Sequence, residues 1–312
     1  MARTAPFLRR VFRSHLQTLG TRRLFSSDTI TVPLAYDLHA PAKPVLDERT
    51  SPILFLHGLF GSKKNNRTIS KVLARDLGRY VYALDLRNHG DSPHVPRHDY
   101  VVMAEDVAAF IREHELQNST LIGHSMGAKT AMTLALRSPD MVDNIIAVDN
   151  APVDAALGTD FARYIQGMKR IEQAGVTRQS EADKILAEYE KSLPIRQFLL
   201  GNLHRPKAQG DGGNGSNTQT QKFRLPLSVL ARALDNLGDF PYKDPREVRF
   251  EKPALFIRGT HSKYVPDEVL PLIGQFFPRF ELVDIDAGHW VISEKPDAFR
   301  QAVVRFLSPK DD

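Results

Sequence analysis

The residues of this sequence best placed to do chemistry begin with a serine between two glycines. Residues 123–127 read Gly-His-Ser-Met-Gly, which fits the pattern G-x-S-x-G. A predicted strand at 119–122 precedes the pattern and a helical pattern follows from Met126, and such a strand–turn–helix context is typical of a nucleophilic serine. The turn lifts the hydroxyl to a helix N-terminus, where the helix dipole favours developing negative charge. The sequence therefore predicts that Ser125 attacks an ester-type carbonyl.

A serine hydroxyl needs a base to remove its proton, and His289 is the candidate for that base. It stands between Gly288 and Trp290, after the last predicted strand and before the closing helix. The chain order of nucleophile first and histidine last is typical of one class of serine hydrolases. We therefore predict that His289 activates Ser125.

The acid that orients the histidine has two candidate positions. The commonest position follows the strand predicted at 253–258, where this chain has Ser262 in place of an aspartate. Asp267 lies slightly further along, at a predicted helix start, where N-capping explains it better. Asp149 ends the strand predicted at 142–148, at the sheet edge that lines the ligand crevice. Position therefore favours Asp149 over Asp267, with Ser262 as a secondary hydrogen-bond partner of His289.

Two backbone N–H groups are needed to stabilise the oxyanion of the tetrahedral intermediate. We expect one from Met126, directly after the nucleophile, and the other from the loop 57–61, His-Gly-Leu-Phe-Gly. Leu59 is the first choice in that loop and Phe60 is the second. His57 and His124 flank this site and are expected to organise its backbone. The remaining histidines of interest are assigned to surface loops: His89, His94, His98, His204 and His261.

Strands and helices alternate along the chain and position these residues. Short apolar runs at 52–56 and 80–84 predict buried parallel strands, and further strands are predicted at 119–122 and 142–148. The stretches between them are helical in pattern. The alternation predicts an α/β fold with a mostly parallel central sheet and helices on both faces. It stops at residue 152 and resumes near 253. We interpret 153–238 as an inserted helical lid without strands, with a flexible polar loop at 208–217.

The composition limits the chemistry further. The chain has no cysteines, which excludes disulfides, thiolate catalysis and cysteine-ligated metals. It also lacks the residue spacings of metal-ligand clusters, P-loops and dinucleotide fingerprints. We therefore expect neither a metal nor a cofactor. No run approaches the roughly 18 apolar residues that a membrane helix needs, so no integral membrane span is expected.

The net charge of +5 comes from one end of the sequence. Residues 1–25 contain six arginines and no acid, and the remainder is close to neutral. We therefore expect no nucleic-acid binding by the folded domain. An Arg-rich, acid-free leader with interspersed Ser and Thr is typical of a mitochondrial transit peptide. The sequence predicts cleavage after Phe25, a hydrolase domain at 26–312 and a location in the mitochondrial matrix.

Five segments of the chain resemble the mitochondrial α/β-hydrolases grouped as abhydrolase-domain-containing protein eleven, together with related fungal proteins, yeast ethanol acetyltransferases and small bacterial esterases. The resemblance covers most of residues 30–308, and it implies the α/β-hydrolase fold and cleavage of carboxylic esters or thioesters. It also implies that the acid after the post-nucleophile strand belongs to the triad, which agrees with Asp149. The segments that carry it are 57–62, 85–92, 123–127, 148–153 and 288–290.

The reading that we adopt is a Ser125–His289–Asp149 hydrolase that forms an acyl-enzyme on small to medium acyl esters or thioesters. One alternative is an alcohol acyltransferase, which uses the same site and differs only in whether water or an alcohol attacks the acyl-enzyme. A second is a protein-binding or chaperone-like role on an inactive scaffold, because a fold does not by itself imply activity. The sequence does not identify a protein partner.

Overall fold

The computed structural model describes residues 30–42, 51–116, 118–155, 159–206 and 220–308. The predicted transit peptide at 1–25 and the polar loop at 208–217 lie outside these residues. Within them, no helix is both long enough and apolar enough to cross a lipid bilayer.

Seven strands form one sheet in the described part of the chain, in the order β1-β3-β2-β4-β5-β8-β9. β1 pairs antiparallel with β3, and the other neighbours are parallel. The predicted mostly parallel sheet is therefore confirmed. The strands are β1 Tyr36–His39, β2 Ile53–Leu56, β3 Val81–Leu84, β4 Ser119–His124, β5 Val142–Val148, β6 Leu203–His204, β7 Lys222–Phe223, β8 Ala254–Gly259 and β9 Phe280–Ile285.

N-terminal residues stabilise two helices of the sheet domain. Asp99 caps α2 by accepting a hydrogen bond from the Val102 N–H, and Pro296 occupies the first turn of α10, where its missing N–H costs no hydrogen bond. The helices are α1 Arg67–Leu77, α2 Tyr100–Glu113, α3 Met126–Arg137, α4 Thr159–Ala174, α5 Gln179–Leu186, α6 Leu193–Leu200, α7 Leu227–Gly238, α8 Leu270–Phe276, α9 Val291–Glu294 and α10 Pro296–Leu307.

The central strands are buried on both faces because successive side chains point to opposite sides of a sheet. In β2, Ile53 and Phe55 belong to one apolar cluster, together with residues of α1 and α10. Leu54 and Leu56 belong to the other cluster, together with residues of α2 and α3. This two-sided burial explains why the strands read as continuous apolar runs in the sequence.

The register of the sheet brings the ends of the central strands to one edge. Leu56 pairs with Gly123, and His124 at the end of β4 pairs with Val148 at the end of β5. Val148 in turn pairs with Ile257 in β8. The loops that follow these strands therefore lie side by side, as expected for the carboxyl edge of a parallel sheet.

Residues 159–206 and 220–238 form a helical segment between β5 and β8. α4, α5, α6 and α7 lie here, as the periodicity predicts. The expectation that the segment contains no strand is wrong, because β6 and β7 pair antiparallel over two residues each. Lys129 of α3 ties the segment to the sheet domain by donating hydrogen bonds to the carbonyls of Gly238 and Asp239 at 2.9 and 3.1 Å.

Candidate active site

Ser125 occupies the sharp turn between β4 and α3. Its φ of 55° and ψ of −114° lie outside the regions that most residues adopt. Glycines are needed beside it: a Cβ at Gly123 would lie 2.2 Å from the Gly127 carbonyl oxygen, and a Cβ at Gly127 would lie 2.4 Å from the Leu56 carbonyl oxygen. The two glycines of the motif thus allow β2, β4 and α3 to approach closely around a strained serine.

His289 lies between Ser125 and Asp149. Its Nε2 is 3.0 Å from Ser125 Oγ, and its Nδ1 is 2.7 Å from Asp149 Oδ2. In the tautomer that donates from Nδ1 to the carboxylate, Nε2 accepts from the serine hydroxyl. The Tyr264 ring stacks on the imidazole, with the ring centroids 4.2 Å apart. The structure therefore brings the predicted nucleophile, base and acid into one hydrogen-bonded line.

Asp149 is fully buried at the end of β5 and has a φ of 51°. Its Oδ1 accepts the Gly259 N–H at 3.0 Å, and its Oδ2 accepts the Ser262 hydroxyl at 2.5 Å as well as His289 Nδ1. Ser262 thus supports the acid, whereas the sequence analysis expects it to contact the histidine. The three donors hold the carboxylate in one orientation.

Asp267, the alternative acid, lies elsewhere. Its carboxylate forms an ion pair with Arg258 at 2.6 Å, and its side chain is 78% exposed. The expected N-cap role is also wrong, since Pro266 is the N-cap residue of the 3-10 turn that begins at Asp267.

The loop 57–61 passes beside Ser125 and contains a second unusual backbone conformation. Phe60 has a φ of 63° and is buried. Its N–H donates to His89 Nε2 at 3.2 Å, and its carbonyl accepts from Asn202 Nδ2 at 2.8 Å. Because the Phe60 N–H is engaged in this way, Leu59 remains the better candidate for an oxyanion donor in this loop.

Two buried histidines brace the same loop. His57 Nδ1 donates to the Gly58 carbonyl at 2.8 Å, while its Nε2 accepts the Leu86 N–H at 3.0 Å. His89 Nδ1 donates to the Arg87 carbonyl at 2.9 Å, while its Nε2 accepts from Phe60. Burial lowers the pKa of both imidazoles, which keeps them neutral and preserves these donor and acceptor roles.

The surface-loop assignment is wrong for His89 and His98, which are both buried. Burial lowers the pKa of His98 to about 3. His94 and His261 are exposed as expected, and His204 is half-buried. The segment 85–92 is rich in polar residues, as a solvated turn would be. In the structure its polar groups bond to one another and to the backbone, and sequence periodicity does not distinguish these two cases.

Asp85 anchors that segment beneath the loop 57–61. The fully buried carboxylate accepts from the backbone N–H and the Nζ of Lys63, both at 2.6 Å, and from the Asp91 N–H at 2.8 Å. A Cβ at Gly90, where φ is 55°, would lie 2.2 Å from the carboxylate. The segment therefore supports the loop 57–61 from below.

His124, directly before Ser125, also contacts His289. Its Nε2 donates to the His289 carbonyl at 2.8 Å, and the two ring centroids are 5.0 Å apart. Burial, with a smaller contribution from the His289 charge, lowers the pKa of His124 to about 4. A neutral His124 thus holds the backbone of His289 in place. It does not take up the proton that the proposed base would accept from Ser125.

Comparison with known proteins places this geometry in a family. The family described as "alpha/beta hydrolase fold" matches residues 51–296. The chain belongs to the α/β-hydrolase family. Among the solved structures of this family, a marine microorganism esterase superposes with a TM-score of 0.77 at 30% identity, over 88% of this chain and all of the other.

Curated relatives of this α/β-hydrolase carry more than one functional name. An abhydrolase domain-containing protein of Schizosaccharomyces pombe is 40% identical over 82% of this chain and 92% of its own length. A "probable alcohol acetyltransferase" of Saccharomyces cerevisiae is 45% identical, over 84% and 78% respectively. The mouse "sn-1-specific diacylglycerol lipase ABHD11" is 39% identical, over 91% and 88%. The resemblance stated from the sequence motifs is confirmed.

Proposed function

We propose that this α/β-hydrolase cleaves carboxylic esters, or thioesters, through an acyl-enzyme on Ser125. The observation that carries the proposal is the line from Ser125 Oγ to His289 Nε2 at 3.0 Å and from His289 Nδ1 to Asp149 at 2.7 Å. Relatives named as an esterase and a lipase support the same class of reaction.

In the first step, His289 takes the Ser125 proton while Oγ bonds to the acyl carbon. Asp149 stabilises the imidazolium, and the amides of Met126 and Leu59 donate to the oxyanion. His289 then gives its proton to the departing alcohol or thiol. In the second step, His289 takes a proton from a water molecule that attacks the acyl carbon. The bond from that carbon to Ser125 Oγ then breaks, His289 returns the proton to Oγ, and the acid is released.

Alcohol acyl transfer is the second candidate, favoured by the relative named as an alcohol acetyltransferase. The first half-reaction is identical, and an alcohol replaces water in the second. Incubating the protein with an acyl donor and ethanol, and measuring ethyl ester against free acid, separates the two activities.

The helical segment between β5 and β8 acts in this proposal as the lid over the site. Asn202 of this segment contacts the Phe60 carbonyl, and Phe198 lies against Trp290 with ring centroids 4.6 Å apart. A cover of this kind excludes water, which strengthens electrostatic interactions within the site.

The test of the proposal uses residues 26–312, the predicted mature chain. We expect hydrolysis of short esters, together with covalent labelling of Ser125 by a fluorophosphonate, and loss of both in Ser125→Ala. A wild-type protein that is inactive on short and long esters and thioesters, and that resists the label, would instead favour the non-catalytic binding role.

A mitochondrial location belongs to the same proposal. It is supported by the arginine-rich, acid-free composition of residues 1–25. A fluorescent fusion of the full chain should enter mitochondria, and a fusion that starts at residue 26 should not. Import of the shortened fusion would contradict the assignment of the leader.

A further inference from the structure

A cavity of about 830 Å³ lies between α6 of the helical segment and the N-terminal parts of α1 and α10. Gly58 and His124 form part of its wall and lie directly against the nucleophile. A Cβ on Gly58 would be 3.3 Å from Ser125 Cβ, and His124 precedes Ser125 in the chain. The volume falls within the range of small-molecule sites, which is about 300–1,000 Å³.

Apolar side chains from three elements line this cavity. They come from α1, from α6 and from the start of the C-terminal helices, and charged residues such as Asp297 and Arg300 also line it. A wall of this composition binds an aliphatic chain better than a polar group. The apolar lining residues are Ile69, Val72, Ile195, Phe198, Trp290 and Ile292.

The position of the cavity relative to His289 indicates which side of an ester it receives. His124 and Trp290 line the cavity and flank His289, with ring centroids 5.0 and 5.7 Å from the imidazole. Tyr264, which stacks on His289, is not part of the cavity wall. The departing oxygen must lie within hydrogen-bond reach of His289 Nε2 to take its proton. Because His124 and Trp290 belong to the cavity wall and lie beside the imidazole, we place the alcohol portion of the ester on that side of His289.

The geometry points to this cavity as the binding site for the alcohol portion of the substrate, and to an aliphatic alcohol much larger than ethanol. A water molecule occupies only about 30 Å³ in the liquid, so ethanol would fill a small part of the space. The inference rests on the proposed function. The bond from Ser125 Oγ to the acyl carbon forms, the bond from that carbon to the alkoxy oxygen breaks, and His289 passes the serine proton to that oxygen.

Isomeric esters test the assignment, because they place the same number of carbons on opposite sides of the ester bond. Hexyl acetate and ethyl hexanoate have one molecular formula and differ only in which side carries the chain. We expect kcat/KM to rise about fourfold per methylene from ethyl to hexyl acetate. Hexyl acetate should exceed ethyl hexanoate by about tenfold or more.

Substitutions on facing walls connect the preference to the cavity. Val72→Phe in α1 and Ile195→Phe in α6 each fill part of the space, and each should lower the hexyl-to-ethyl acetate ratio of kcat/KM at least about tenfold. Lys71→Phe is the matched control, since it adds the same ring to α1 at an exposed position outside the cavity wall. That control should keep the wild-type ratio, and thermal melts show whether each variant folds.

The wild-type comparison decides the inference even where a variant fails to fold. Equal rates on the two isomers, or faster cleavage of ethyl hexanoate, would overturn the assignment while leaving the hydrolase itself intact. A protein that cleaves neither series and whose Ser125 resists a fluorophosphonate would overturn the proposed function, and this inference with it.

Discussion

His289 lies beside Ser125, whereas His57 and His89 lie beside the loop 57–61. The two groups of histidines differ in what their ring nitrogens contact. His289 places Nδ1 on a carboxylate and Nε2 on a hydroxyl, and its side chain is 14% exposed. His57 and His89 are almost fully buried, with Nδ1 on a backbone carbonyl and Nε2 on a backbone amide. Of these three histidines, His289 alone contacts a hydroxyl that can give it a proton and a carboxylate that can stabilise the resulting positive charge.

The contrast shows that the neighbours of a histidine determine its role. A carboxylate stabilises the imidazolium that forms when a proton arrives, whereas a peptide amide holds its proton and a buried site disfavours the charge. The imidazole beside Ser125 is therefore the proposed base, whereas the imidazoles beside the loop 57–61 each hold two backbone groups in place, one at each ring nitrogen.

Removing the carboxylate should make His289 resemble the buried histidines. Asp149→Asn keeps the shape of the acid but permits the wrong tautomer of the base, so kcat should fall by about 10⁴-fold. Asp267→Asn is the matched control, because Asp267 pairs with Arg258 at the surface. Ester hydrolysis by purified variants gives both values. A collapse in Asp267→Asn with activity kept in Asp149→Asn would reverse the assignment of the acid.

Replacing a buried histidine that supports the loop 57–61 should lower activity without changing the contacts of His289. His89→Phe keeps the ring but leaves the Phe60 N–H without its acceptor, so the loop that carries the Leu59 amide loses its support. We expect kcat to fall roughly 100-fold with little change in KM, comparable to the loss of one oxyanion donor. His94→Phe, at an exposed position five residues after His89, should behave as wild type. Equal kcat in both variants would show that His89 does not position the loop.

The buried histidines should also make the fold sensitive to acid. Because burial lowers the pKa of His98 to about 3 and of His124 to about 4, the folded state favours their neutral forms. The unfolded chain binds these protons from about pH 6.5 downward, so stability is lost as the pH falls from there towards those values. His98→Phe should recover about 2 kcal/mol of the loss between pH 7.5 and pH 5. Urea unfolding at pH 7.5 and pH 5 measures the free energy of unfolding at each pH. If the variant loses as much stability as the wild type between them, a neutral buried His98 is excluded as the cause.

Ser262 should have the smallest effect, because Asp149 keeps other donors. Ser262→Ala removes one of the donors to Oδ2, while the Gly259 N–H still holds Oδ1. The loss of one hydrogen bond to a charged group predicts a decrease in kcat of about tenfold. Lys263→Ala, at the exposed neighbouring position, provides the control. A decrease as large as that of Asp149→Asn would mean that Ser262 contributes more than orientation.

Much of the sheet domain was predictable because its signals are local. A buried strand shows a continuous apolar run, and the motif around Ser125 requires glycines that the close approach of β2, β4 and α3 explains. Asp149 was predictable from its position at a strand end, before its contact with His289 was known. The two-residue strands β6 and β7 carry too few residues for any periodicity.

The supports of the loop 57–61 were less predictable because they depend on contacts distant in sequence. Asn202 reaches the Phe60 carbonyl across 142 residues, and a single asparagine after a helix has no pattern that points to such a partner. His89 and His98 lie in a polar stretch that resembles a solvated turn, and only the packed structure shows that they are buried.

The hydrogen bond from Asn202 to Phe60 also matters for exchanging parts between members of this family. A chimaera that receives residues 159–238 from a relative acquires new walls for the cavity, but it also replaces the amide that holds the Phe60 carbonyl. The walls of the cavity and the support of the loop 57–61 are therefore inherited together. A graft that keeps an asparagine at position 202 separates the two.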